Sequence, residues 1–132
     1  MKTKEYIFKG PNDKSILIIA PDDIHFPFDN PIDYPDCCGA GQGFGEKIVP
    51  ETIWGVRVSL ACFIHDDMWN RSERSWSNFH KSNSIFLRNI INIIQAYSKS
   101  QILKRLRLYR AITYYNAVDS FGSNVFWNLD EE

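Results

Sequence analysis

Residues 62–69 read Cys62-Phe63-Ile64-His65-Asp66-Asp67-Met68-Trp69. At the helical period, Cys62, His65, Asp66 and Trp69 stand at i, i+3, i+4 and i+7 and share one face. That face carries a thiol, an imidazole, a carboxylate and an indole. An isolated His-Asp pair is ordinarily part of a solvated helix surface, so its meaning depends on what surrounds it. The helical pattern extends from about Val58 to Arg71, with Ser59 or the residues just before it as the cap.

Upstream lies Cys37-Cys38-Gly39-Ala40-Gly41-Gln42-Gly43-Phe44-Gly45, where four glycines alternate with other residues. Such backbone reaches positive φ and approaches a ligand closely. No Gly-Lys-Ser/Thr follows, which excludes a phosphate loop, and the dinucleotide fingerprint is absent. Carbonyls turned inward from such a loop suit a hard cation, given a nearby acid. Residues 49–55 read as a short connection into the helix.

Downstream, Phe79, Phe86, Ile90, Ile93, Ile94 and Tyr97 recur at helical spacing and predict a second helix from Trp76 or Ser77 to about Ser98. A third helix is expected from about Ser100 to Phe121, with Ile102, Leu103, Leu106, Tyr109, Ile112, Tyr115, Val118 and Phe121 on one face and Gly122 as the stop. Lys99, Lys104, Arg105, Arg107 and Arg110 give it a basic side, which is either a solvated face or a surface for anionic lipid. The tail holds Val125, Phe126, Trp127 and Leu129, expected to pack back on the core.

At the other end, Glu5 to Phe8 and Ser15 to Ala20 read as two strands around a Gly10-Pro11-Asn12-Asp13 turn. Four prolines between Pro21 and Asp36 leave an extended, turning segment. The 132 residues predict one domain, with 44% apolar and 14% aromatic content that excludes disorder and coiled coil. Fifteen basic and sixteen acidic residues give a net charge of −1, without the global field of a nucleic-acid binder. No apolar run predicts a transmembrane segment, and the N-terminus lacks the apolar stretch of a signal peptide, so the expected site of synthesis is a cytoplasm. Three cysteines are too few for a disulfide framework and are not spaced for zinc. His25 and His80 have no motif partner.

The order Cys-Cys-Gly-x-Gly, connection, Cys-x-x-His-Asp-x-x-Trp, second helix resembles the phospholipase A2 superfamily over residues 37–90, in a divergent form of microbial or phage type. The resemblance implies an antiparallel helix pair bearing the site; with the third helix and the small N-terminal β-hairpin read from the patterning, the expected fold class is mainly α, a phospholipase A2-like helix pair with a third helix against it and the hairpin. It implies that the main-chain carbonyls of Cys37, Gly39 and Gly41, with the Asp66 carboxylate, hold Ca²⁺. It makes His65 the general base that activates water against the sn-2 ester of a glycerophospholipid, with the Gly39 N–H helping to hold the oxyanion. It places a disulfide between Cys38 and Cys62 and leaves Cys37 free. The implied substrate is a phospholipid or membrane surface, which calls for release or delivery of the protein to one.

Two positions depart from the family. The position that the resemblance matches to the acid orienting the histidine holds Asn83, and Trp69 stands where the family has a tyrosine. In a serine-protease triad the comparable acid-to-amide change costs about 10⁴ in kcat. These departures favour a second reading, a catalytically degenerate relative with a binding or structural task in a phage or microbial interaction system. A third reading takes Cys62 as a nucleophile with His65 as its base.

Overall fold

Apolar alternation in the first 21 residues builds a hairpin. In the computed structural model, which describes residues 1–35 and 52–129, strand β1 (Thr3–Lys9) pairs antiparallel with β2 (Ser15–Pro21), from Thr3 opposite Pro21 to Lys9 opposite Ser15. The turn holds Asn12 at φ 57° and Asp13 at φ 59°, residue types whose short polar side chains tolerate the left-handed region. Period-two patterning then decides the faces: Ile16, Ile18 and Ala20 are buried. The proline-rich segment that follows is irregular as expected, apart from one 3-10 turn at Pro31–Asp33 capped by the Asn30 side chain.

Residues 52–57 are more than a connection. Thr52–Ile53 (β3) and Val56–Arg57 (β4) form a second, minimal hairpin, with Trp54 at φ 46° and Gly55 at φ 87° at its tip. Positive φ at both central residues is the pattern of a tight hairpin turn, and only the glycine adopts it without strain. The Trp54 carbonyl accepts from Arg107 Nη2 at 2.7 Å, and Arg110 lies 5.5 Å over the indole. Two cations of the basic side of the third helix therefore brace this turn.

Helix α1 (Ser59–Arg71) starts at Val58 without a side-chain cap, so Ser59 is its first residue rather than its cap. Helix α2 (Trp76–Tyr97) is capped by Ser75, whose hydroxyl accepts from Asn78 N–H at 3.1 Å. Its buried face includes Phe79, Phe86, Ile90, Ile93 and Ile94, as the periodicity predicts. Trp69 meets Phe79 and Ser82, while His65, one turn earlier, meets Asn83 and Phe86. The two helices therefore run antiparallel.

Two asparagines of α2 complete the hairpin. Leu17 and Ile19 turn main-chain groups away from β1; Asn89 donates to the Ile19 carbonyl and accepts from its N–H, both at 2.8 Å, and Asn92 donates to the Leu17 carbonyl. The helix thus covers the open edge of β2 and blocks further strand pairing there.

Helix α3 (Gln101–Phe121), capped by Ser100, departs from expectation in its orientation. Of the eight apolar residues assigned to one face, only Val118 is buried; Ile102 is 73% exposed, Tyr109 71% and Phe121 66%. The packed side instead uses Ala111 and Val118, with Leu108 and Tyr114 partly buried against the core. Eight positions spread over 20 residues span too wide an arc for one face. Gly122 ends the helix in a right-handed conformation at φ −82°, and a short helix α4 (Ser123–Asn128) follows directly in place of a plain tail. Phe126 of α4 is fully buried against Trp69 and Phe79, and Val125, Trp127 and Leu129 pack beside it. The described structure is mainly helical with a small N-terminal hairpin.

Candidate functional site

His65 sits at the α1–α2 contact because α1 presents its Cys62–Trp69 face inward. The imidazole lies between two rings, with Trp69 4.4 Å and Phe86 4.6 Å away, centroid to centroid. Its Nε2 is 2.7 Å from Asn83 Oδ1. An amide oxygen only accepts, so Nε2 carries the proton and Nδ1 keeps its lone pair. Among the described residues no group hydrogen-bonds Nδ1. The resemblance implies Asn83 opposite His65, and the structure brings the two together.

Burial sets the charge of this histidine. The residue is 7% exposed and Asn83 is fully buried. Loss of water pushes the imidazole from 6.5 down to about 4, with the Asn83 hydrogen bond acting in the opposite, upward direction. His65 is thus neutral at pH 7, the state a base requires. Below pH 6.5 the unfolded chain takes up a proton that the folded chain refuses until about pH 4, so stability falls as pH drops through that window. The loss should reach about 3 kcal/mol, and His65→Phe should abolish it. Urea unfolding of both proteins between pH 7 and pH 4 checks this, and parallel curves would count against it.

Asn83 is itself held from behind. Its Nδ2 donates to Asp119 Oδ1 at 3.1 Å, and the same oxygen accepts from His80 Nδ1 at 2.7 Å. A chain of polar groups therefore runs from His65 through Asn83 to Asp119 on α3 and His80 on α2. His80, with no partner in the sequence reading, has one here. Sequence reasoning missed Asp119. The available signal was that it is the only acid in α3, while His80 and Asn83 are three residues apart on one helix face.

Trp69 lacks the hydroxyl of a tyrosine, but its indole N–H donates to Ser82 Oγ at 2.9 Å, and that hydroxyl donates to the Phe79 carbonyl at 2.8 Å. The indole thus ties α1 to α2 beside the histidine. Of the paired acids, Asp67 serves the surface: Arg71 binds both its oxygens, at 3.0 and 2.6 Å, and reaches Asp23 at 2.9 Å. Asp66 is half-buried beside His65 and is the expected metal ligand within the described residues. Among those residues no group of three or more His, Cys, Asp or Glu side chains converges on one point. The other expected ligands, Cys37, Gly39 and Gly41, the Gly39 N–H and Cys38 lie outside the described residues.

Cys62 is disulfide-bonded. It has no thiolate to offer, which removes the reading of Cys62 as nucleophile and His65 as its base. His25 is exposed, as expected of an unassigned loop histidine. Among the described residues no helix is long and apolar enough to cross a membrane. Comparison of the chain with protein-family models, curated proteins and solved structures returns no match.

Proposed function

We propose that this protein hydrolyses the sn-2 ester of glycerophospholipids in a Ca²⁺-dependent reaction, with His65 as the general base. The observation that carries the proposal is a neutral, buried imidazole whose Nε2–H is held by Asn83 Oδ1 at 2.7 Å while Nδ1 keeps its lone pair. That is the arrangement a base needs: one ring nitrogen oriented, the other left for the proton it removes.

The donor set fits the metal by its chemistry. Asp66 with the main-chain carbonyls of Cys37, Gly39 and Gly41 is all oxygen, as a hard cation prefers, and Ca²⁺ held there would polarise the ester carbonyl. The chain's own residues do the rest. His65 Nδ1 takes a proton from water as the water oxygen bonds to the carbonyl carbon. The imidazolium then returns a proton to the glycerol oxygen as the ester C–O bond breaks, giving a fatty acid and a lysophospholipid. Asn83 keeps the ring in plane, and Trp69 and Phe86 shield it from solvent.

The outer face of α3 supports a lipid surface as partner. Ile102, Leu106 and Tyr109 are exposed along it, with Arg105 and Arg110 to either side. Apolar residues flanked by cations suit an anionic bilayer. A weak Ca²⁺ site of the extracellular kind would need roughly 10⁻⁴ to 10⁻³ M metal, so action in a cytoplasm would call for a tighter one.

The test is product identification by mass spectrometry after incubation with mixed phosphatidylglycerol and phosphatidylcholine vesicles, in Ca²⁺ and in chelator. Equal amounts of lysophospholipid and free fatty acid, in Ca²⁺ only, are expected. Unchanged lipid in both would overturn the reading. It would favour instead a degenerate relative with a binding or structural task, which the 7% exposure of His65 and the neutral amide at Asn83 both favour.

A further inference from the structure

We infer that Asp119 is a positioning residue for His65 and acts through Asn83; the inference rests on His65 as the base of the proposed reaction. An asparagine side chain has two orientations that differ in which group faces the imidazole. If the NH₂ faced Nε2, that nitrogen would have to accept, the proton would move to Nδ1, and the lone pair needed at Nδ1 would be gone. Nothing in Asn83 itself chooses between the two.

Asp119 makes the choice. An ionised carboxylate only accepts hydrogen bonds, so the Asn83 group 3.1 Å from its Oδ1 has to be the NH₂. The carbonyl oxygen is then turned to Nε2, at 2.7 Å, and the proton is fixed there. His80 holds the carboxylate in place by donating from Nδ1 to the same Oδ1, and its own ring stacks on Trp76 at 5.8 Å. The negative charge that an acid at position 83 would set directly against the imidazole stands here one residue further back, joined to it by an oriented amide. The substitution at position 83 and the lone acid of α3 are thus two parts of one device.

Substitution at Asp119 tests this. Ring nitrogen signals of ¹⁵N-labelled His65 should report a single Nε2–H tautomer in the wild type and a mixture of tautomers in Asp119→Ala. Asp119→Asn keeps an acceptor without the charge and should fall between them; it also serves if the alanine variant folds poorly. In the lipid assay Asp119→Ala should lower kcat roughly 10- to 100-fold, as removal of an outer partner of a functional group commonly does, with KM within about twofold. Exchanging the pair, Asn83→Asp with Asp119→Asn, should restore most of the kcat that either single change loses, because the acid then meets Nε2 directly and the new amide donates to it. A wild type that releases no fatty acid while the tautomer shifts as described would sink the esterase and leave the positioning role standing. A single Nε2–H tautomer in both Asp119 variants overturns the positioning role whatever the activity.

Discussion

Replacing His65 by Gln should lower kcat for fatty-acid release at least about 10³-fold, with KM little changed. Glutamine fills similar space and can still donate to Asn83 Oδ1, so the α1–α2 contact survives, but an amide takes no proton at neutral pH. General-base catalysis is worth about 10²- to 10⁴-fold, and the side chains against the imidazole ring, Trp69, Phe86 and Asn83, take up no proton near neutral pH. Initial rates on vesicles measure the effect, with the urea midpoint confirming that the variant is folded. A folded His65→Gln protein that keeps a tenth of the rate would exclude His65 as the base.

The largest expected effect on stability lies far from the chemistry. Asn89→Ala should cost about 3 kcal/mol, because it strips the partners from both the N–H and the carbonyl of Ile19 at once and leaves a space in the α2–β2 contact. Asn89 is fully buried, so water reaches those groups poorly. Asn92→Ala, which removes a single bond to the Leu17 carbonyl at a more open position, should cost less than half as much. Chemical unfolding of the three proteins gives both values. Equal midpoints for Asn89→Ala and the wild type would mean that the hairpin is held by Ile16 and Ile18 alone.

The helix pair and the hairpin were legible because each follows from a local period. Ile16 to Ala20 alternate, and Phe79 to Ile94 repeat at the helical spacing with Ser75 in front of them. His65 opposite Asn83 was legible only through resemblance, since nothing local sets the register of two helices. What the sequence hid was partnership across the fold. Asp119 reaches Asn83 and His80 from 36 and 39 residues away, and Asn89 reaches Ile19 across 70. A polar residue among apolar ones reads identically whether it faces water or a buried partner. The face of α3 differs from the expectation for a related reason: Ile102 and Val118 are both apolar, but burial is decided by what packs against the helix, and the buried positions are Ala111 and Val118.

Hydrolysis in heavy-oxygen water of a phospholipid with two distinguishable acyl chains tests the central claim most directly. If water deprotonated by His65 attacks the sn-2 carbonyl, one heavy oxygen enters the fatty acid released from sn-2 and none enters the lysophospholipid, in the wild type and not in His65→Gln. Release from sn-1, label in the lysophospholipid hydroxyl, or no release at all would contradict it.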